Sequence, residues 1–153
     1  MERTLIIAKP DAVQRGLVGE IIRRLEQKGL KLIGLKMIQL DDEKLEGHYS
    51  EHIDKPFYAD LAAFMKSSPV VVMAWEGYEC TNSVRIVVGA TNPRQADAGT
   101  IRGDFAIGQG RNLVHASDSK QSGEKEVQHF FDQGELIEYD KSEYVHVYNE
   151  DER

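Results

Sequence analysis

The sequence predicts an α+β sandwich built on a split β-α-β-β-α-β unit, the ferredoxin-like arrangement: a four-stranded antiparallel sheet with added helices and a long loop. Three observations predict it. Apolar runs of strand length alternate with helical spacings in the order strand, helix, strand, helices, strand, helix, strand, helix. Each half repeats the β-α-β order only once. The 153 residues are also few for the five-stranded parallel sheet of a doubly wound fold, the alternative considered.

Thr4 to Ala8 is a short buried strand, and Val18, Ile21, Ile22 and Leu25 follow helical spacing up to a stop at Lys28-Gly29. Leu30 to Leu40 reads as a long half-buried strand, with Leu30 and Leu32, then Leu35 and Met37, on its apolar side. Asp42 is the expected cap of a short helix running toward Tyr49. After Pro56, Leu61, Phe64 and Met65 mark a helix that Ser67-Ser68-Pro69 ends. Val70 to Trp75 is the clearest buried strand. Thr81 is the expected cap of a helix that carries Val84, Ile86, Val87 and Val88 and stops at Gly89. From Gly89 to Arg111 no periodicity is visible, and so long a loop in a compact domain is usually functional. Leu113 to Ala116 completes the sheet, and Val127, Phe130 and Phe131 face inward from a final helix.

Composition bounds the function. Residues 1–153 read as one domain large enough for a real core, with Tyr144 to Arg153 an acidic tail that is either a subunit contact or a frayed end. A hydrophobic fraction of 41% and a charged fraction of 29% are those of an ordinary globular protein. The lone cysteine, Cys80, excludes an internal disulfide, and the N-terminus lacks a signal-peptide layout, so the cytoplasm is the expected location. No apolar stretch approaches membrane-spanning length. A net charge of -7 argues against general nucleic-acid binding. It also requires that an anionic substrate be captured by a local cluster of Lys and Arg.

Asn112-Leu113-Val114-His115-Ala116-Ser117-Asp118 is the most informative stretch. It sets one histidine among small and polar neighbours, just after Thr91-Asn92-Pro93, Thr100 to Phe105 and Gly108-Gln109-Gly110-Arg111, which supply the hydroxyls, backbone donors and guanidinium groups that handle phosphate. A lone histidine after Leu113 and Val114 is commonly a strand-end residue. Ser117 and Glu126 point instead to a held ring, because a hydroxyl and a carboxylate can fix one nitrogen and leave the other to attack. A Ser-His-Asp hydrolase fits poorly: Ser117 is two positions from His115, no G-x-S-x-G elbow exists, and the arginines suit phosphate. A Gly-Lys pair is absent, which excludes a Walker A loop, and Gly108-Gln109-Gly110 lacks the third glycine of a dinucleotide fingerprint. His48-Tyr49-Ser50-Glu51-His52 matches the H-x-x-E-H pattern of inverted zinc proteases, yet Asp54-Lys55-Pro56 ends any helix almost at once. His129 and His146 read as surface residues.

The chain resembles nucleoside diphosphate kinases over nearly all of residues 3 to 140. The resemblance runs through Ile7-Ala8-Lys9-Pro10-Asp11, Gln14-Arg15-Gly16-Leu17, His48-Tyr49, Lys55-Pro56-Phe57, Ser68-Pro69-Val70, Trp75-Glu76-Gly77, Gly89 to Pro93, Gly99 to Phe105 and the N-x-x-H-x-S-D motif of Asn112 to Asp118. It implies reversible transfer of the γ-phosphate of a nucleoside triphosphate, typically ATP, to a diphosphate, supporting synthesis of GTP, CTP, UTP and deoxynucleotides. It implies a ping-pong cycle through a phosphohistidine on His115, with Ser117 and Glu126 orienting the ring and Tyr49 beside it. An imidazole suits that task, since its ordinary pKa of about 6.5 leaves it partly neutral at physiological pH. By the same resemblance Lys9, Arg85, Thr91 and Arg102 hold phosphate, Asn112 and Lys9 hold the ribose, Phe57 stacks on the base, and Mg²⁺ bridges phosphate oxygens with no direct protein ligand. A homo-oligomer is implied, hexamer before tetramer. Gln109, Ala116 and Ala98 depart from the common family residues, touching base affinity and a loop that packs on neighbouring subunits. A nucleotide-sensing module without turnover and a protein-directed histidine phosphate donor are the competing functions.

Overall fold

The computed structural model describes all of residues 1–153. Its sheet has the strand order β2-β3-β1-β4, every neighbouring pair antiparallel. The strands are β1 (Glu2–Ala8), β2 (Lys31–Ile38), β3 (Val70–Gly77) and β4 (Val114–Ala116). The helices are α1 (Pro10–Gln14), α2 (Val18–Gln27), α3 (Asp42–His48), α4 (Tyr58–Lys66), α5 (Cys80–Val88), α6 (Ile101–Phe105) and α7 (Lys120–Phe130). The expected βαββαβ unit is present, with α3 and α4 inserted between β2 and β3. No helix is long and apolar enough to cross a membrane.

Successive residues of a strand face opposite sides, so the central β1 feeds two cores. Ile6 and Ala8 join Met73, Trp75, Val84, Val88 and Leu113 under α2 and α5. Leu5 and Ile7 join Val70, Val72, Met65, Val127 and Phe130 under α4 and α7. Both β1 and β3 are buried on both faces, which is why each reads as a continuous apolar run rather than an alternating one.

Where the structure departs from the sequence reading, local physics explains it. Strand β2 has a bulge between Leu32 and Gly34, which keeps Leu32, Leu35 and Met37 opposite Trp75, Met73 and Val71 on one face. The spacing is therefore as expected, but β2 is the sheet edge and helices do not reach that far: Leu35 and Met37 are 50% and 62% exposed. The cap of α3 is Asp41, not Asp42; its Oδ1 accepts from the Lys44 amide at 2.8 Å. Thr81 lies inside α5, which starts after Glu79 in a left-handed conformation (φ 43°), and the Thr81 hydroxyl is buried without a partner. The stretch from Gly89 to Arg111 is not one loop: Pro93–Gln95 forms a 3-10 turn and Ile101–Phe105 a helix capped by Thr100. Helices this short show no periodicity. The tail forms 3-10 turns, and the Tyr148 hydroxyl donates to the Gly29 carbonyl at 3.2 Å.

Candidate functional site

Two features of the backbone bring the separate segments together. Helix α7 lies close on β1 because Gly123 has no side chain: a Cβ there would meet the Arg3 carbonyl at 2.7 Å. Three residues further along, that approach carries Glu126 to β4. Leu113, fully buried, takes a left-handed backbone (φ 72°), a conformation costly for a branched side chain. It is pinned on both sides, its amide donating to Asp11 Oδ2 at 3.0 Å and its carbonyl accepting from the Lys9 amide at 2.8 Å.

The resulting cavity, about 550 Å³, is lined by Lys9, His48, Tyr49, Arg85, Thr91, Arg102, Asn112, His115 and Glu126 among others. His115 projects from β4 with Nε2 3.0 Å from Glu126 Oε2. Ser117, almost fully buried, donates its hydroxyl to the same carboxylate oxygen and accepts from the Leu5 amide at 3.2 Å. Ser117 thus fixes Glu126, and Glu126 fixes the ring. Burial pushes the Glu126 carboxyl up, but the bonds from His115 and Ser117 outweigh it and hold it below the ordinary carboxylate range. An ionised Glu126 accepts Nε2–H, which leaves the lone pair on Nδ1.

The cations arrive by different routes. Lys9, at the end of β1, donates to Asn112 Oδ1 at 2.6 Å, and Asn112 donates to the Thr91 carbonyl at 2.9 Å. Burial pulls the Lys9 ammonium down to about 8, with Asp11 opposing and Arg102 and Arg111 adding to the shift. Arg102 donates to the carbonyls of Asn112, Gly89 and Val114 at 3.2, 3.1 and 2.6 Å. A guanidinium has five N–H donors, so about two remain for a ligand. Arg85 is exposed and forms no ion pair; it donates to the Ser117 carbonyl at 3.5 Å.

Phe57 is not brought into this cavity. Half exposed, its ring packs 5.6 Å from that of His52, which does line it. Tyr49 lines the wall, and burial pushes its phenol up to about 12. His129 is half-buried rather than a free surface residue, with Nε2 2.9 Å from the Lys44 carbonyl. The H-x-x-E-H segment forms no zinc-protease helix, since α3 ends at His48. Sequence reasoning missed what His48 does instead: its ring stands edge-on to His115, centroids 4.6 Å apart, with both nitrogens buried and unpartnered. Desolvation lowers His48 to about 3, so it is neutral. Arg111 was also missed as a fixed group; its guanidinium covers the Phe64 ring at 3.7 Å.

The family model of nucleoside diphosphate kinases matches residues 2–136. The chain belongs to the nucleoside diphosphate kinase family. A nucleoside diphosphate kinase of Archaeoglobus fulgidus is 51% identical over 150 residues, covering 98% of this chain and 99% of its own. Nucleoside diphosphate kinase A of Mus musculus is 52% identical over 138 residues, covering 90% and 91%. The structure of a halophilic nucleoside diphosphate kinase from Halobacterium salinarum in complex with CDP superposes with a TM-score of 0.94 at 46% identity, covering 97% of this chain and 99% of that one. As a nucleoside diphosphate kinase, the chain is a phosphotransferase that moves a terminal phosphate from nucleoside triphosphates to diphosphates, on an antiparallel α+β fold.

Proposed function

We propose that this kinase works by a ping-pong exchange in which His115 Nδ1 attacks the γ-phosphorus of the donor, releases the diphosphate, and passes the phosphoryl group to a second diphosphate. One observation carries the reading: His115 has Nε2 held by Glu126 while its ring borders a cavity that also holds Lys9, Arg85 and Arg102. Exchange between two nucleotides is nearly thermoneutral, and a phosphohistidine can pass the group either way. Phosphoryl transfer is chiefly positioning and charge stabilisation, which the cations and the Thr91 hydroxyl supply in this proposal. Glu126 and Ser117 act as positioning residues, and Tyr49 flanks the ring. The test is incubation with ATP labelled at the γ-position, removal of nucleotide, and a chase with GDP: label should stay on the protein and then move to GTP. Label that never resides on protein would refute the ping-pong reading.

Mg²⁺ enters with the nucleotide in this reading. The deepest carboxylate of the cavity, Glu126, is already engaged by His115 and Ser117; Asp11, the carboxylate near Lys9, accepts from the Leu113 amide and does not line the cavity, whose groups there are Lys9, Arg102 and Asn112. That set fits phosphate oxygens, not a protein cage for a hard cation. The ion neutralises charge on the phosphate oxygens; the chain's own residues orient them.

Lys9 and Asn112 are proposed to contact the sugar as well as phosphate, and Phe57 to stack on the base after moving from its place beside His52. Every base has a π face, so stacking gives affinity with little selectivity. Purine and pyrimidine diphosphates should all be accepted. The ribose 3'-hydroxyl is expected to assist the leaving oxygen, so its loss should hurt turnover more than binding. Single-turnover rates with GDP, 2'-dGDP and 3'-dGDP should show the first two close and the third much slower. Equal rates for all three would remove Lys9 and Asn112 from the sugar site.

Lys9 also sets a pH limit. The folded ammonium loses its proton as pH rises through about 8, whereas an unfolded lysine holds it to about 10.5. Between those values the unfolded chain binds more protons, so this group makes the empty protein more stable with rising pH. Phosphate binding goes the other way, because the neutral amine cannot pair with it. The kcat/KM profile should therefore fall above pH of about 8, and Lys9→Arg should move that limb to higher pH. An unchanged limb in Lys9→Arg would exclude Lys9 as its source.

A cytoplasmic homo-oligomer, hexamer before tetramer, completes the proposal. Support for assembly comes from the exposed Leu35 and Met37 on the edge strand β2, where an open edge favours pairing with another copy. Light scattering should find the oligomer at working concentrations, and monomer alone would refute it.

A further inference from the structure

We propose that His48, His115 and Glu126 form an inhibitory binding site for a borderline transition-metal cation, Zn²⁺ being the probe. The three residues each offer one ligand atom, and those atoms all lie within 4.8 Å of one another. They come from the end of α3, from β4 and from the middle of α7, so the cluster exists only in the folded chain. His48 is the decisive member. Both its nitrogens are buried without a hydrogen-bond partner, although an unpaired buried polar group carries a desolvation penalty. Phosphoryl transfer as proposed above makes no use of it.

Zinc takes imidazole nitrogen at about 2.0–2.1 Å and carboxylate oxygen at similar distance, in tetrahedral geometry. Such an ion holds its ligands about 3.4 Å apart. His115 Nε2 and Glu126 Oε2 are at 3.0 Å and no pair of ligand atoms is more than 4.8 Å apart, so the three can close on one ion by side-chain shifts of about 1.5 Å or less. The fourth position opens to the cavity and would carry water. Magnesium does not compete for this set, because it prefers oxygen donors and is reluctant to shed water.

The consequence for His115 follows from counting one proton. The neutral ring has a single N–H, at Nε2 facing Glu126. A metal bound through Nε2 takes that lone pair, so the proton moves to Nδ1 and no proton is released. Nδ1 then has no lone pair to attack phosphorus. The bound metal thereby switches off the nucleophile without occupying the phosphate subsite. This inhibitory half rests on His115 being the nucleophile; the binding half does not.

Zinc chloride should be titrated into the full chain against a chromophoric chelator, with phosphoryl labelling from ATP followed in parallel at excess Mg²⁺. One zinc per chain is expected for the wild type. His48→Phe keeps an aromatic ring against Tyr49 and Phe130 but offers no ligand. It should weaken zinc by at least about tenfold, the loss seen when even a hydrogen-bond partner of a ligand is removed. Glu126→Gln, a second variant, should weaken zinc as well. Zinc should slow labelling of wild type, and slowing His48→Phe to the same extent should need at least about tenfold more zinc. Zinc affinity unchanged in both variants, or no zinc bound to wild type, overturns the site. Label absent from wild type without zinc would instead refute the nucleophile, and chelator competition would still decide the metal site.

Discussion

Replacing His115 with alanine should abolish the acid-labile, alkali-stable label and lower nucleotide exchange by about 10⁴-fold or more, the scale of losing a covalent nucleophile. The reason is specific to this site. In the proposed mechanism Lys9, Arg85 and Arg102 would still bind phosphate, and Glu126 would keep its bond from Ser117, so the cavity would lose its reacting atom and little else. The expected signature is therefore near-normal nucleotide affinity with no turnover. Rapid filtration with labelled ATP measures the first, and coupled exchange of GDP the second. Retained labelling in His115→Ala would move the nucleophile elsewhere, and the other histidines bordering the cavity, His48, His52 and His129, would be the next to replace.

Arg102→Met should cost about 3 kcal/mol of stability, because it strips a charged donor from three carbonyls, two of the bonds fully buried. At this chain length that is a fall in Tm of about 6–12 °C. The affected groups belong to the end of α5 and to the turn around Leu113, so the loss should loosen the cavity beside His115 as well as the core. Arg102→Lys, which restores charge but cannot reach three acceptors at once, should recover only part. Calorimetry of the three proteins decides it, and a methionine variant melting within a degree or two of wild type would sink the argument.

The strands, α2, α4 and the histidine motif were legible because each carries a signal of its own. Val70 to Trp75 is an unbroken apolar run, and Val18, Ile21, Ile22 and Leu25 repeat at helical spacing. What the residues hid were facts of distance. Nothing near Arg102 in sequence announces that its guanidinium ties Gly89 to Val114; alone it reads as a phosphate ligand. His48 looked like half of a zinc motif with His52, whereas its partner in space is His115, 67 positions away by number. Asp41 and Asp42 are equally good caps by type, and only backbone geometry separates them. Phe57 was placed on the base by resemblance, and its rest position beside His52 depends on packing that a single sequence does not display.

Strand β4 is only three residues long, too short for ladder bonds alone to hold it in register. His115 pairs with Ile7 and so shares the α7 side of the sheet, while Val114 and Ala116 face α5. Slipping by a single residue would turn His115 over to α5, away from Glu126, since side chains alternate with a period of two. The left-handed step at Leu113 acts as a stop against that slip, clamped by Asp11 and the Lys9 amide, with its side chain sunk in the core. Which face of the sheet presents His115 is thus decided one residue before the strand begins, by a leucine whose side chain lies wholly inside the core.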